Sequence, residues 1–318
     1  MTEKEIQKLS EENFQKLLDI YNADEKMCLP FLGAGISTPT GIDSWKKLLM
    51  NMATNLCKTI KSDDVQNMIE QYGYPKTASL IKKDIKDEAE YKNFLIKQFE
   101  PTNILTTSAI IKIIIKFYSI VTTNYDTTIE EAIKTINYIY KDKNIEKLDY
   151  EFQDLPDLSS IKLLRKKNIV YLHGYKKNET FLLTEEDYKL FYPSNYSTEG
   201  IESLQNFLKE IIESMTLVFI GFSFNDKDFC DFFKRTKDKI ESQKNLINMT
   251  YNNPKQNEFN HFAFIKFNNE KYDELEKILN DLGIKVIYYF DKYANLEEYL
   301  HKLEKTKVVK KEEDYPSV

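Results

Sequence analysis

Four short apolar runs in this chain stop abruptly at a glycine or at a cluster of small polar residues, and that punctuation is the strongest constraint on how it folds. Cys28–Leu32 ends in Gly33, Phe117–Val121 in Thr122-Thr123-Asn124-Tyr125-Asp126, Ile169–Leu172 in His173-Gly174, and Leu217–Ile220 in Gly221. Two later runs, His261–Phe267 and Ile284–Phe290, flank a helical stretch at Tyr272–Leu282. Runs this short suit buried strands, and the helical periodicities between them supply the long crossovers that parallel strands require. The expected fold class is α/β, a doubly wound and mostly parallel sheet with helices on both faces.

Within this Rossmann-like scheme, residues 3–22 form an amphipathic leading helix, with Ile6, Leu9, Leu17, Leu18 and Tyr21 at mostly helical spacing. Pro30 weakens the first run as a central strand, because it lacks an N–H for the ladder. From Ser44, a candidate cap, Trp45, Leu48, Leu49, Met52, Ala53 and Leu56 share one helical face, which makes Trp45 a core residue. The gap to the second run is too long for one crossover helix, so about residues 44–104 are expected to be an inserted helical lobe. Residues 1–305 then make a single domain, and the charged tail 306–318 a flexible end.

Composition removes several function classes. With 45 basic against 51 acidic residues, the net charge of −6 offers no surplus for phosphate backbones, so direct nucleic-acid binding is not expected. The most apolar stretch, Ile110–Ile115, is broken by Lys112 and closed by Lys116, too short for a membrane span. A cytoplasmic protein is expected. Cys28, Cys57 and Cys230 lie far apart, which excludes a CxxC zinc or redox pair and leaves reduced, structural thiols. No metal is expected.

Each strand end carries a candidate site and a plainer alternative. Gly33, Ala34, Gly35 and Ser37 can bring backbone N–H groups against a pyrophosphate, or simply turn the chain, since Thr38 stands where a dinucleotide fingerprint has its third glycine. Asn124 and Asp126 can meet sugar hydroxyls, or make an Asx turn and cap the next helix. His173 can exchange a proton near neutral pH, or serve as a hydrogen-bonded structural residue, as His261 and His301 are read. Gly221 and Ser223 suit close approach to ribose or phosphate, while Asp226 caps a helix. Open α/β sheets bind ligands beyond the carboxyl ends of their strands, so these loops should converge on one crevice.

The ordered set Gly33-Ala34-Gly35-Ile36-Ser37 with Gly41-Ile42, Thr123-Asn124-Tyr125-Asp126, His173-Gly174 and Gly221-Phe222-Ser223 resembles the motifs of sirtuins. It is similar above all to bacterial sirtuin-like NADase domains of anti-phage defence systems. The resemblance implies that NAD is the substrate and that its nicotinamide–ribose bond is cleaved to nicotinamide and ADP-ribose. Gly33, Ala34, Gly35 and Ser37 would hold the phosphates, and Gly221 with Ser223 the adenosine half. Asn124 would hold the nicotinamide ribose and the attacking water, Asp126 would orient nicotinamide or ribose, and His173 would accept a proton from a ribose hydroxyl or polarise it. Where sirtuins carry Asp-Phe-Arg, this chain has Ser44-Trp45-Lys46, and the four-cysteine zinc module of deacylating sirtuins is excluded by cysteine spacing. That favours NAD hydrolysis over lysine deacylation or ADP-ribosyl transfer, with a non-catalytic NAD or ADP-ribose sensor as the other alternative. A defence NADase must be restrained, so a homo-oligomer or an activating or regulatory partner protein is expected.

Overall fold

The computed structural model describes residues 2–102, 108–139, 141, 147–154, 162, 164, 166–192, 202–251, 260–268, 272–290 and 296–303. The tail 306–318 lies outside them. In chain order the strands are β1 (Cys28–Leu32), β2 (Ile120–Thr122), β3 (Glu151–Asp154), β4 (Asn168–Tyr171), β5 (Thr216–Ile220), β6 (His261–Lys266) and β7 (Ile284–Tyr289). All pair in parallel in the order β3-β4-β2-β1-β5-β6-β7, so the doubly wound α/β fold is the one the sequence pattern implies. The chain starts at the centre and winds outward to one edge, then crosses back to build the other.

Alternate strand residues feed two cores, as a pleated strand requires. Leu29 and Phe31 of β1, with Leu217 and Phe219 of β5, point to one face, covered by α9 (Glu202–Ser214), α10 (Lys227–Tyr251) and α11 (Tyr272–Leu282). Cys28 and Leu32, with Val218 and Ile220, point to the other, where α1 (Glu3–Ala23), α6 (Ser108–Lys116), α7 (Thr128–Ile139) and the helical residues 296–303 pack. The leading helix α1 is tied to the β7 edge: Asn13 Nδ2 donates to the Val286 carbonyl at 2.9 Å and the Tyr288 N–H donates to Ser10 Oγ at 2.9 Å.

Pro30 sits in the central strand without breaking it. The Gly33 N–H donates to Ile220 on the β5 side, while Leu32 accepts from Thr123 on the β2 side. By alternation Pro30 faces β2, whose pairing with β1 begins one residue later, at Phe31 opposite Val121. The ladder bond that Pro30 could not donate therefore falls ahead of the β1–β2 pairing.

The inserted lobe consists of α2 (Trp45–Leu56), α3 (Ser62–Tyr72), α4 (Tyr74–Asp84) and α5 (Glu88–Gln98), around a core of its own that includes Leu49, Met52, Ile81 and Leu95. Its root is closed where the Thr102 N–H donates to the Thr40 carbonyl at 2.8 Å, beside Gly41. Its α4 is clamped to α8 (Glu185–Phe191) by Lys76 with Glu185 at 2.6 Å and by the Ser79 hydroxyl donating to Glu186 at 2.6 Å. The lobe thereby roofs the carboxyl edge of the sheet.

Candidate active site

A cleft of about 590 Å³ lies at the carboxyl ends of β1, β2, β4 and β5, lined on its other side by α2 and Tyr74 of the lobe. Gly33, Ala34, Gly35, Asn124, Asp126, His173, Gly221 and Ser223 all line it. Ser37, expected with them, is 1% exposed and sits beneath the floor.

The glycines at the floor have a specific use. The Gly33 N–H donates to Ile220 and the Gly35 N–H to the Gly221 carbonyl, so the loops after β1 and β5 touch backbone to backbone. A Cβ on Gly33 would meet the Gly221 carbonyl oxygen at 2.6 Å, and one on Gly35 would meet Gly221 Cα at 2.9 Å. Their lack of side chains first permits this contact between loops, which presents the first loop to a ligand as a stiff unit.

Asn124 locks the second strand end to that floor. Its backbone N–H is fixed by Thr122 Oγ1 at 3.0 Å, and its side-chain amide donates to the Gly33 carbonyl at 3.1 Å and to Ser37 Oγ at 3.0 Å. With both amide hydrogens used, Oδ1 is what the side chain offers a ligand, and Oδ1 accepts. Asp126 Oδ1 accepts from the Thr128 N–H at 2.9 Å, an Asx turn that leads into α7 and coexists with a place on the cleft wall.

His173 is 4% exposed, and burial lowers its pKa to about 3, so the imidazole is neutral throughout the physiological range. Its Nε2 lies 2.7 Å from the hydroxyl of Tyr192, and the rings of Tyr125, Tyr188 and Tyr192 surround it at centroid distances of 6.5, 5.7 and 5.8 Å. Sequence reading passes over Tyr188 and Tyr192, because α8 carries no strand-end motif. His261 behaves as read, buried with Nδ1 accepting from the Leu217 N–H. Trp45 packs against two cores as expected, yet it also forms a cleft wall, stacked between Tyr74 at 4.9 Å and Tyr188 at 5.9 Å.

Asp226 caps α10 as expected, Oδ1 accepting from the Phe229 N–H at 3.1 Å, while Oδ2 accepts from the Tyr188 hydroxyl at 3.2 Å. It also lines the cleft, where burial raises its pKa from 3.8 to about 6. A raised carboxyl pKa means the native state holds the proton more tightly than the unfolded chain does. Its contribution to stability is full below about 3.8 and is lost as pH rises through about 6. Asp226→Asn, neutral and isosteric, should therefore gain stability over wild type by on the order of 1 kcal/mol more at pH 8 than at pH 5. Thermal melts at the two pH values read this directly, and a constant difference between the proteins would refute it.

Among the described residues no group of three or more His, Cys, Asp or Glu is placed to hold a metal, and no helix is long and apolar enough to cross a membrane. Cys28 and Cys230 are pushed up to about 12 and Cys57 to about 11, chiefly by burial, so all three remain thiols.

A doubly wound α/β protein carries this cleft beyond the carboxyl ends of four strands, the place where open α/β sheets bind ligands. Residues 118–287, more than half of the chain, match the SIR2-like domain, and the chain belongs to that family. The chain is 24% identical over 298 residues to the NAD(+) hydrolase ThsA of Bacillus cereus (strain MSX-D12), covering 88% of this chain and 55% of the relative. It is 24% identical over 280 residues to the protein of the same name from Cytobacillus dafuensis, covering 85% and 51%. Defense-associated sirtuin 2 of Bacillus subtilis is 27% identical over 203 residues, 62% of this chain and 18% of that protein. The chain spans about half the length of the NAD(+) hydrolases it matches.

Proposed function

We propose that this chain hydrolyses NAD at the nicotinamide–ribose bond, giving nicotinamide and ADP-ribose. The observation that carries the reading is the meeting of Asn124 and His173 with the paired glycine loops in one cleft. Relatives named NAD(+) hydrolase support it.

In this reaction the bond from C1′ to the pyridinium nitrogen breaks and its electron pair leaves with nicotinamide. Positive charge builds on the ribose, and water adds to C1′ with release of one proton. Rate comes only from groups that favour that cationic state. The cleft suits it: His173 is neutral, Asp43, Asp126 and Asp226 line the walls, and Lys46 is the only cationic side chain lining the cleft among the described residues. In this reading Asn124 Oδ1 accepts from the attacking water, His173 meets the ribose hydroxyls, and the Gly33–Gly35 loop, whose Gly33 and Gly35 N–H groups are committed to Ile220 and Gly221, offers the phosphates the Ala34 N–H. Ser37 acts from beneath, through Asn124, and Gly221 with Ser223 receives the adenosine half.

The biological part of the proposal is depletion of cytoplasmic NAD during anti-phage defence. Such an activity must be held off in a healthy cell, which assigns its control to self-association or to a regulatory partner protein. The test is chromatography of products after incubating purified protein with NAD. Nicotinamide and ADP-ribose in equal amounts are the expected result, absent with His173→Ala. Release of nicotinamide only with an acyl-lysine peptide would overturn hydrolysis.

A further inference from the structure

His173 is a catalytic candidate whose ring has no carboxylate partner among the described residues; its polar contact is a phenol. Tyr192, just past the end of α8, is 4% exposed and does not line the cleft, whereas His173 does. The Tyr192 hydroxyl and His173 Nε2 are 2.7 Å apart, and among the described residues Nε2 is that hydroxyl's only hydrogen-bond partner. The ring nitrogen left for a ligand in the cleft is Nδ1.

A neutral imidazole carries one proton, and which nitrogen holds it decides what the other can do. If Nε2 held it, Nε2–H would donate to the Tyr192 oxygen, and the buried phenolic proton would have no acceptor. If Nδ1 holds it, the phenol donates to Nε2 and both buried polar groups are satisfied. Burial drives the Tyr192 pKa well above its usual value, so the phenol keeps its proton to donate.

We propose that Tyr192 is a positioning residue that fixes the tautomer of His173, its O–H donating to Nε2 so that Nδ1 presents an N–H to the cleft. The function of His173 toward a bound sugar is then donation to a hydroxyl oxygen, which turns that hydroxyl's own proton away from the ring; removal of a ribose proton by His173 is excluded in this state. This use of the ring rests on the NAD-cleavage reading, while the tautomer itself does not. The same contact explains why α8, clamped to the lobe through Glu185 and Glu186, bears on chemistry: it carries the chain into Tyr192.

The test is long-range 1H–15N spectroscopy of the full, ligand-free chain labelled with 15N-histidine. The chain has only three histidines, and His261→Gln and His301→Gln identify the signals that are not His173. Wild type is expected to show a protonated Nδ1 and an unprotonated, hydrogen-bonded Nε2 in His173. In Tyr192→Phe the ring should become a mixture of tautomers, with kcat for NAD cleavage lower by roughly 10-fold and KM little changed. A protonated Nε2 in wild type overturns the proposal without reference to any variant, and so does an unchanged tautomer in folded Tyr192→Phe protein. Because the spectra are recorded without NAD, failure of NAD cleavage leaves the tautomer result standing, and the two readings fail separately.

Discussion

Asn124→Ala is expected to lower kcat for NAD cleavage by about 10³-fold, because one substitution removes both the acceptor offered to water and the tie that aims it. In the native side chain the two amide hydrogens are committed to the Gly33 carbonyl and Ser37 Oγ, which holds Oδ1 in one direction. Alanine takes one donor from each of those acceptors, leaving the Gly33 carbonyl with the Ile36 N–H alone, at a cost of about 1–3 kcal/mol, so a lower melting temperature is expected as well. Asn124→Asp separates the effects. It keeps an acceptor at Oδ1 but sets a carboxylate oxygen against the Gly33 carbonyl, so it should bind NAD weakly and turn it over slowly. Steady-state kinetics beside thermal melts of all three proteins decide the matter. Folded Asn124→Ala protein with kcat near wild type would remove Asn124 from the chemistry.

The parts of this site legible in the sequence were those whose residue type and position both have few explanations. Glycine directly after a strand, Asn124 and His173 at strand ends, and Asp226 before a helix each declare a local geometry, and the parallel sheet then brings them to one edge. What was not legible depends on contacts between distant segments. β3, Glu-Phe-Gln-Asp, has exposed Glu151 and Phe152 and lies on an edge, so no apolar alternation marks it. Tyr192 looks like one of 21 tyrosines until the fold sets its hydroxyl against Nε2. Trp45 reads as core from its helical phase, and helical phase cannot distinguish a core from the wall of a cleft that the lobe itself roofs. Pro30 argued against a central strand, and only the late start of β2 pairing resolves the conflict.

The second large effect expected is at Gly221, where alanine should cost about 3 kcal/mol of stability and abolish measurable NAD binding. Two independent costs combine there. Gly221 has φ +67°, in the left-handed region, where an L residue pays about 1–2 kcal/mol in strain. Its Cβ would in addition lie 2.7 Å from the Ile36 backbone nitrogen and 3.0 Å from the Gly35 carbonyl carbon, and backbone atoms cannot swing aside as a side chain can. The loops after β1 and β5 must then part, breaking the hydrogen bond from Gly35 N–H to the Gly221 carbonyl and turning the floor of the cleft. Gly283→Ala is the control, since Gly283 has φ +68° but its Cβ would meet only the flexible Lys237 side chain at 3.4 Å and beyond. That variant should show the strain alone, about 1–2 kcal/mol, with NAD binding intact. Denaturant melts and calorimetric titration with NAD read both quantities. If Gly221→Ala and Gly283→Ala lose the same stability and both bind NAD, the contact between the loops is not what shapes the site, and the glycines serve the backbone turn alone.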